Sequence, residues 1–351
     1  MDGTSHYQLY LNGKNMINQN IKLIATLGPS TLKRKVLKTL KKDVDIFRLN
    51  MSHLNLKQLT QNLNFLKNNQ IKNICLDTEG AQVRTKYLKK KKYFKKNLYL
   101  NISSLNLKLK NYIELYPKVD ISKIKTKSKI KIGFNGLELQ VEKNLKEYLK
   151  CKVINGGFLE ANKGVHFDSN ILLKPLTDKD IKAINIAKKF NVKIFALSFA
   201  NFERDVKYFR SLLDKKDFII SKIETKSGFK NRKKIINSSN AILIDRGDLS
   251  RYIDISKIPL AQRIIIDDTK KKKKQVYIAT NLLETMINFN EPTRAESNDV
   301  YSSLESGCTG LVLAAETAIG KYPINCVKFL KKCLKIFYNK KKLIMNEENF
   351  F

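Results

Sequence analysis

The chain has 351 residues, with 68 Lys and Arg against 32 Asp and Glu, which leaves a net charge of +36. Its 42% hydrophobic content supports a sizeable core, and it holds no run of ~18 apolar residues, so global disorder and a transmembrane helix are excluded. Five scattered cysteines without a CxxC, and only three histidines, speak against a disulfide framework and a zinc site and for a reducing, cytoplasmic compartment.

Residues 1–20 carry neither a basic start nor an apolar run, so they read as an N-terminal arm and not as a signal peptide. Short apolar, β-branched runs then recur at 21–27, 45–50, 73–78, 193–199, 217–224, 241–245, 275–280 and 310–316. Runs of this length and composition predict buried parallel strands. Between them, residues 177–190, 201–214, 226–238, 257–271, 294–306 and 323–338 carry apolar residues at helical spacing. The first of these opens on Thr177 as a cap, with Asp in its first turn. Strand–helix alternation predicts an α/β fold, and eight units predict a closed (β/α)8 barrel, the TIM-barrel architecture.

One stretch breaks the rhythm. Residues 85–167 contain NLYLNI, KIKIGFNGLELQVEK, YLKCKVINGG and GVHF, short strands punctuated by the FNG and NGG turn signals. They predict a small all-β domain inserted after strand three, placed to act as a lid over the barrel's active face. The expected organisation is therefore an arm at 1–20, a barrel at 21–84 and 168–345, and a β lid at 85–167.

The positive charge has two readings. A nucleic-acid partner would use it to neutralise phosphates. However, the excess is nearly all Lys, it recurs in most helices, and Lys, Asn and Ile are abundant together, as A/T-rich codons would produce. Runs such as Lys89–Lys92 and Lys271–Lys274 read as solvated faces. Compositional drift is the favoured reading, and no nucleic-acid partner is expected.

More telling are the polar groups at the C-terminal ends of apolar strands: Arg48 and Asn50, Asp77 and Thr78, Lys222 and Glu224, Asp245 with Arg246 and Asp248, Thr280, and Glu316. Side chains alternate faces, so Arg48 shares a face with Asn50, and Lys222 with Glu224. Singly, each is an ordinary loop residue. In a barrel, these ends converge on the catalytic face. Glu224 and Asp248 are hard oxygen ligands suited to Mg²⁺ or Mn²⁺, while Arg48 and Lys222 suit phosphoryl oxygens. No GxxxxGK[ST] loop, convincing GxGxxG or strand-end Ser–His–Asp set is present. This composition points to phosphoryl transfer or enolate chemistry.

The strings ATLGPST (25–31), FRLNMSH (47–53), LDTEGAQVRT (76–85), SKIET (221–225), DRGDL (245–249), IATNLLETMI (278–287), EPTRAESNDV (291–300) and AAETAIGKYP (314–323) occur in one order and at one spacing. In these the sequence resembles the pyruvate kinase family over roughly residues 20–338. The resemblance implies phosphoryl transfer from phosphoenolpyruvate to ADP, the last step of glycolysis. It implies Glu224 and Asp248 as ligands of Mg²⁺ or Mn²⁺, Lys222 as the cation at the transferring phosphoryl and enolate oxygen, and Arg48 as the phosphate clamp. It implies Gly247, Asp248 and Thr280 as the cradle of the substrate carboxylate, with Thr280 near the carbon that is protonated. Asn50, Ser52, Asp77 and Thr78 match the family's K⁺ site. His53, Arg84 and Lys163 match positions that face the nucleotide.

The sequence also departs from the family. Glu79, Ala81 and Gln82 replace Lys, Pro and Glu after strand three, and Gln82 leaves K⁺ dependence open. Asp245 stands where Ala is usual, Asn281 where Gln is, Ala314-Ala315 where Ser-Gly is, and Phe134-Asn135 where Asp-Asp is. Residues SRYID follow RGDL in place of a Gly-x-Glu-x-Pro pattern. The family's C-terminal effector domain is expected to be absent, which leaves barrel–barrel contacts as the route to a homo-oligomer. The alternative expectation is a repurposed barrel that binds phosphoenolpyruvate or a 2-keto acid with little turnover.

Overall fold

The computed structural model describes residues 20–345, apart from 87, 89, 134, 135, 169, 170 and 172. The expected arm up to residue 19 and the Phe134-Asn135 departure lie outside the described residues. Contacts divide the chain into two compact units, Met1–Thr78 with Lys179–Phe351, and Glu79–Asp178.

The first unit is built on a closed barrel. Its strands are β1 (Lys22–Thr26), β2 (Ile46–Asn50), β3 (Ile74–Asp77), β4 (Ile194–Leu197), β5 (Phe218–Ile223), β6 (Ala241–Asp245), β7 (Gln275–Ala279) and β8 (Gly310–Leu313). Each pairs in parallel with its neighbours in order, and β8 closes on β1. The helices are α1 (Arg34–Leu40), α2 (Leu56–Asn68), α3 (Asp178–Lys189), α4 (Glu203–Ser211), α5 (Lys226–Ser238), the single turn α6 (Arg246–Leu249), α7 (Ile258–Lys271), α8 (Arg294–Glu305), the turn α9 (Ala315–Ala318) and α10 (Pro323–Met345). This is the (β/α)8 barrel that the alternation predicts.

The barrel interior follows the two-residue strand period. Ile24, Ile46, Cys75, Ala196, Ile220, Leu243, Tyr277 and Val312 pack together as its apolar filling. Cys75 is thus plain barrel core. Two residues further along the same faces stand Arg48, Asp77, Lys222 and Asp245. Apolar side chains plug the barrel, and the next inward layer toward the C-terminal ends is charged.

Local chemistry stops and starts the helices where the strands need them. At α8, Thr293 Oγ1 accepts from the Glu296 N–H at 3.2 Å while Glu296 Oε2 accepts from the Thr293 N–H at 2.8 Å. The PTRAE string is therefore a capping box, which satisfies two otherwise orphaned donors. Asn55 and Gln58 form another at α2.

The second unit is all β. Its seven-stranded sheet runs, in spatial order, through 165–167, 129–132, 137–144, 149–155, 99–103, 112–116 and 84–85. A two-stranded piece pairs 157–159 with 92–94. Strand 137–144 alternates Leu137, Leu139 and Val141 into a core that also takes Leu149, Cys151 and Val153. Gly136, in the predicted FNG turn, has φ +87°, which favours glycine. The unit starts before residue 85, because Arg84–Thr85 pairs with Leu115–Tyr116.

Candidate active site

The charged layer is built from strand ends. Arg48 on β2 donates from Nε to Asp77 Oδ2 at 2.7 Å and from Nη1 to Thr26 Oγ1 at 2.8 Å. Asp77 on β3 also receives Ser198 Oγ at 3.1 Å. Lys222 on β5 places Nζ 3.3 Å from Asp77 Oδ2, 3.1 Å from Ser198 Oγ, 2.9 Å from Glu224 Oε1 and 3.8 Å from Asp245 Oδ2. Asp77 and Glu224 are 0% exposed, Lys222 4%, and Arg48 and Asp245 5%, so these charges face one another and not water. Carboxylates outnumber cations here, against the sign of the whole molecule.

Burial and neighbours shift the ionisations in opposite directions. Burial raises Glu224 to about 8, and the carboxylates of Asp245 and Asp248 add to this while Lys222 opposes it. Asp245 is likewise raised, mainly by burial. Asp77 is held below the ordinary carboxylate range, because Lys222 and Arg48 together outweigh its burial. Burial works against the Lys222 ammonium, but Asp77 and Glu224 outweigh it and keep the group charged. The site thus fixes two cations and the Asp77 carboxylate, and leaves Glu224 and Asp245 under electrostatic pressure.

Its backbone is strained as well. Thr280 has φ +69° and Asn281 φ +55°, and a β-branched residue in this region is an outlier that its surroundings must hold. Arg246 does part of the holding, donating from Nη2 to the Thr280 carbonyl at 2.6 Å and from Nη1 to both Asp299 oxygens at 2.8 and 2.6 Å. Thr280 Oγ1 accepts the Gly247 N–H at 2.8 Å and donates to Asp245 Oδ1 at 3.1 Å. Phe199 has φ +52°, which directs its N–H to Glu224 Oε2 at 2.5 Å. These positions cluster at strand ends, where strain commonly serves function.

Metal-ligating chemistry concentrates in one place. One oxygen from each of Glu224, Asp245 and Asp248 lies within 4.8 Å of the others. Glu224 Oε1 is buried and accepts no hydrogen bond. An all-oxygen donor set with a buried carboxylate oxygen that accepts no hydrogen bond fits a hard divalent cation.

The remaining candidates fall into separate groups. Asn50 and Asp77 are register neighbours on β2 and β3. Asn50 Oδ1 accepts the Ser52 N–H at 2.9 Å, and Thr78 Oγ1 accepts the Ser198 N–H at 3.0 Å. This oxygen set suits K⁺ in kind, although each of these oxygens already holds a protein donor. His53 lies on the 3-10 turn Met51–His53 of the barrel unit. Arg84 and Lys163 belong to the inserted unit, where Arg84 Nε lies 3.9 Å from Glu79 Oε1 and Lys163 Nζ lies 3.1 Å from Glu160 Oε2. Ser198 and the Phe199 backbone are the site residues that sequence reasoning missed, and Arg246 was visible only as a strand-end charge. Asp245 was visible only as a strand-end charge and a departure.

A (β/α)8 barrel with a charged, carboxylate-rich C-terminal face defines the class of barrel enzymes that act at strand ends. The family model "Pyruvate kinase, barrel domain" matches residues 18–327. Pyruvate kinase of Thermotoga maritima is 30% identical over 329 residues, covering 90% of this chain and 71% of the relative. That of Methanocaldococcus jannaschii is 33% identical over 319 residues, covering 90% and 69%. That of Encephalitozoon cuniculi is 29% identical over 318 residues, covering 88% and 74%. The chain belongs to the pyruvate kinase family. Among the described residues, no helix is long and apolar enough to cross a membrane.

Proposed function

We propose that this chain transfers the phosphoryl group of phosphoenolpyruvate to ADP, giving pyruvate and ATP. The observation that carries this reading is Lys222, a buried ammonium kept charged by Asp77 and Glu224 beside a cluster of carboxylates suited to a divalent cation. Such a fixed cation stabilises charge that develops on the phosphoryl group and on the enolate oxygen it leaves. Arg48, oriented by Asp77 and Thr26, clamps the phosphate. The N–H groups of Gly247 and Asp248 and the Thr280 hydroxyl take the substrate carboxylate, with Thr280 near the carbon that gains the proton. Glu224 and Asp248 would hold Mg²⁺ or Mn²⁺, which would supply charge neutralisation for the transferring phosphoryl group. Asn50, Ser52, Asp77 and Thr78 would hold K⁺. In this reading His53, Arg84 and Lys163 are the residues assigned to the nucleotide. The protein works in the cytoplasm, a setting supported by five buried free cysteines. Exposed Ile255 and Leu260 support self-association through barrel faces.

One observation favours the second reading, a barrel that binds phosphoenolpyruvate or a 2-keto acid with little turnover. Asp245 Oδ1 already accepts from Thr280 Oγ1 and from the Asp248 N–H at 3.4 Å, two of the donors meant for the substrate carboxylate. Substrate must displace or outbid it.

Coupled detection of pyruvate, with Mg²⁺ and with or without K⁺, separates the two. We expect turnover, and a fall of about 10²–10³-fold or more in kcat for Lys222→Met. Absence of turnover, with Lys222→Met indistinguishable from wild type, would sink the catalytic reading. Phosphoenolpyruvate binding without turnover would leave the second.

A further inference from the structure

Asp245 closes β6 and caps α6, the turn that carries Asp248. Its two oxygens have different environments. Oδ1 accepts from the Asp248 N–H at 3.4 Å and from Thr280 Oγ1 at 3.1 Å. Oδ2 stands 3.8 Å from Lys222 Nζ, beyond hydrogen-bonding distance. The cap therefore fixes the side chain through one oxygen and leaves the other presented to the cluster.

Clustered acids alone would not define a site. The independent observation is Glu224 Oε1. It belongs to a 0% exposed residue and accepts no hydrogen bond, although Lys222 Nζ is 2.9 Å away. A buried carboxylate oxygen held by an ion pair alone, with no hydrogen bond, keeps lone-pair capacity for a further electrophile. Oxygens of Asp245 and Asp248 lie within 4.8 Å of the cluster's Glu224 oxygen, close enough for all three to ligate one ion.

We infer that Asp245 is a third carboxylate ligand of the divalent cation, beside Glu224 and Asp248, an inference that rests on the metal reading proposed above. Charge supports it. Asp77, Glu224, Asp245 and Asp248 face Arg48, Lys222 and Arg251, whose Nε lies 3.4 Å from Asp248 Oδ1, so the fully ionised cluster keeps a net negative charge that a bound cation offsets. The cation is hard, Mg²⁺ or Mn²⁺, because every donor is a carboxylate oxygen. The remaining coordination positions stay with water and substrate oxygens. The chain thus holds its ion more tightly before substrate arrives than two carboxylates would.

The test is Mn²⁺ binding to the full chain without substrates, read by the electron paramagnetic resonance signal of free Mn²⁺. Asp245→Asn keeps an oxygen for the cap and removes the charge, so we expect its Mn²⁺ Kd to rise about 10-fold or more. Its metal-free melting temperature should stay near that of wild type. Asp245→Ser, which keeps a capping oxygen in a smaller side chain, serves if the Asn variant does not fold. Glu224→Gln and Asp248→Asn report on the site itself. If both lose Mn²⁺ while the Asp245 variants bind as wild type does, the third-ligand inference is overturned and the two-carboxylate site stands. If wild type binds no Mn²⁺, or Glu224→Gln binds it unchanged, the metal reading fails and takes the inference with it.

Discussion

Glu224 shows how one residue can be both costly and useful. Its carboxyl is buried, raised to about 8, and left with an oxygen that pairs with the Lys222 ammonium but accepts no hydrogen bond. An unfolded Glu ionises near about 4.3, so the folded metal-free chain keeps this proton to higher pH. The resulting stability is fully present below about pH 4 and is lost as pH rises through about 8. In chelator, the melting temperature of wild type should therefore fall relative to that of Glu224→Gln between about pH 5 and about pH 9. Parallel curves would show that Glu224 is not protonated in the fold. The residue itself was legible from its place at the end of an apolar strand, in step with Lys222. Its oxygen without a hydrogen bond was not, because that depends on what other strands bring to it. Arg246 makes the same point: its partner Asp299 is 53 positions away, and no local pattern joins them.

At the scale of elements, the strand ends work because the strands fit tightly beneath them. Gly310 opens β8 beside Tyr277 of β7, whose ring is among the largest fully buried side chains. A methyl group at Gly310 would lie 2.6 Å from Tyr277 Cδ1 and 3.0 Å from the Lys22 carbonyl oxygen of β1. Neither the packed ring nor the backbone can give way cheaply. Gly310→Ala should cost about 1–3 kcal/mol in denaturant unfolding. A neutral result would mean that the Tyr277 ring can move aside. Strands and helices were legible as elements, since their apolar periods are local. The capping box at Thr293–Glu296 was legible in the same way, as a spacing of three before an apolar run. The turns at Phe199 and Thr280 were not, because neither Phe nor Thr favours positive φ, and only the bonds made there hold them.

At the scale of the whole molecule, a net charge of +36 surrounds a site in which carboxylates outnumber cations. Under the proposed function both substrates are anions, and a positive surface raises their local concentration. This field is screened over roughly 8–10 Å at moderate salt. The Michaelis constants for phosphoenolpyruvate and ADP should therefore rise steeply with ionic strength at fixed K⁺ and Mg²⁺. Flat constants across the series would confine the surplus to composition.

The sequence by itself determined the fold class, the family, and most of the charged strand-end set, since strand period, helix period and motif order are properties of chain neighbours. Tertiary structure alone decided which of those groups meet. Closure of the barrel sets Lys222 against Asp77, from strands 145 positions apart, and brings Glu224 and Asp245 to one point. The same sequence distance that hides these pairings lets the barrel hold like charges together, because each carboxylate is fixed by its own strand and cannot turn away from the others.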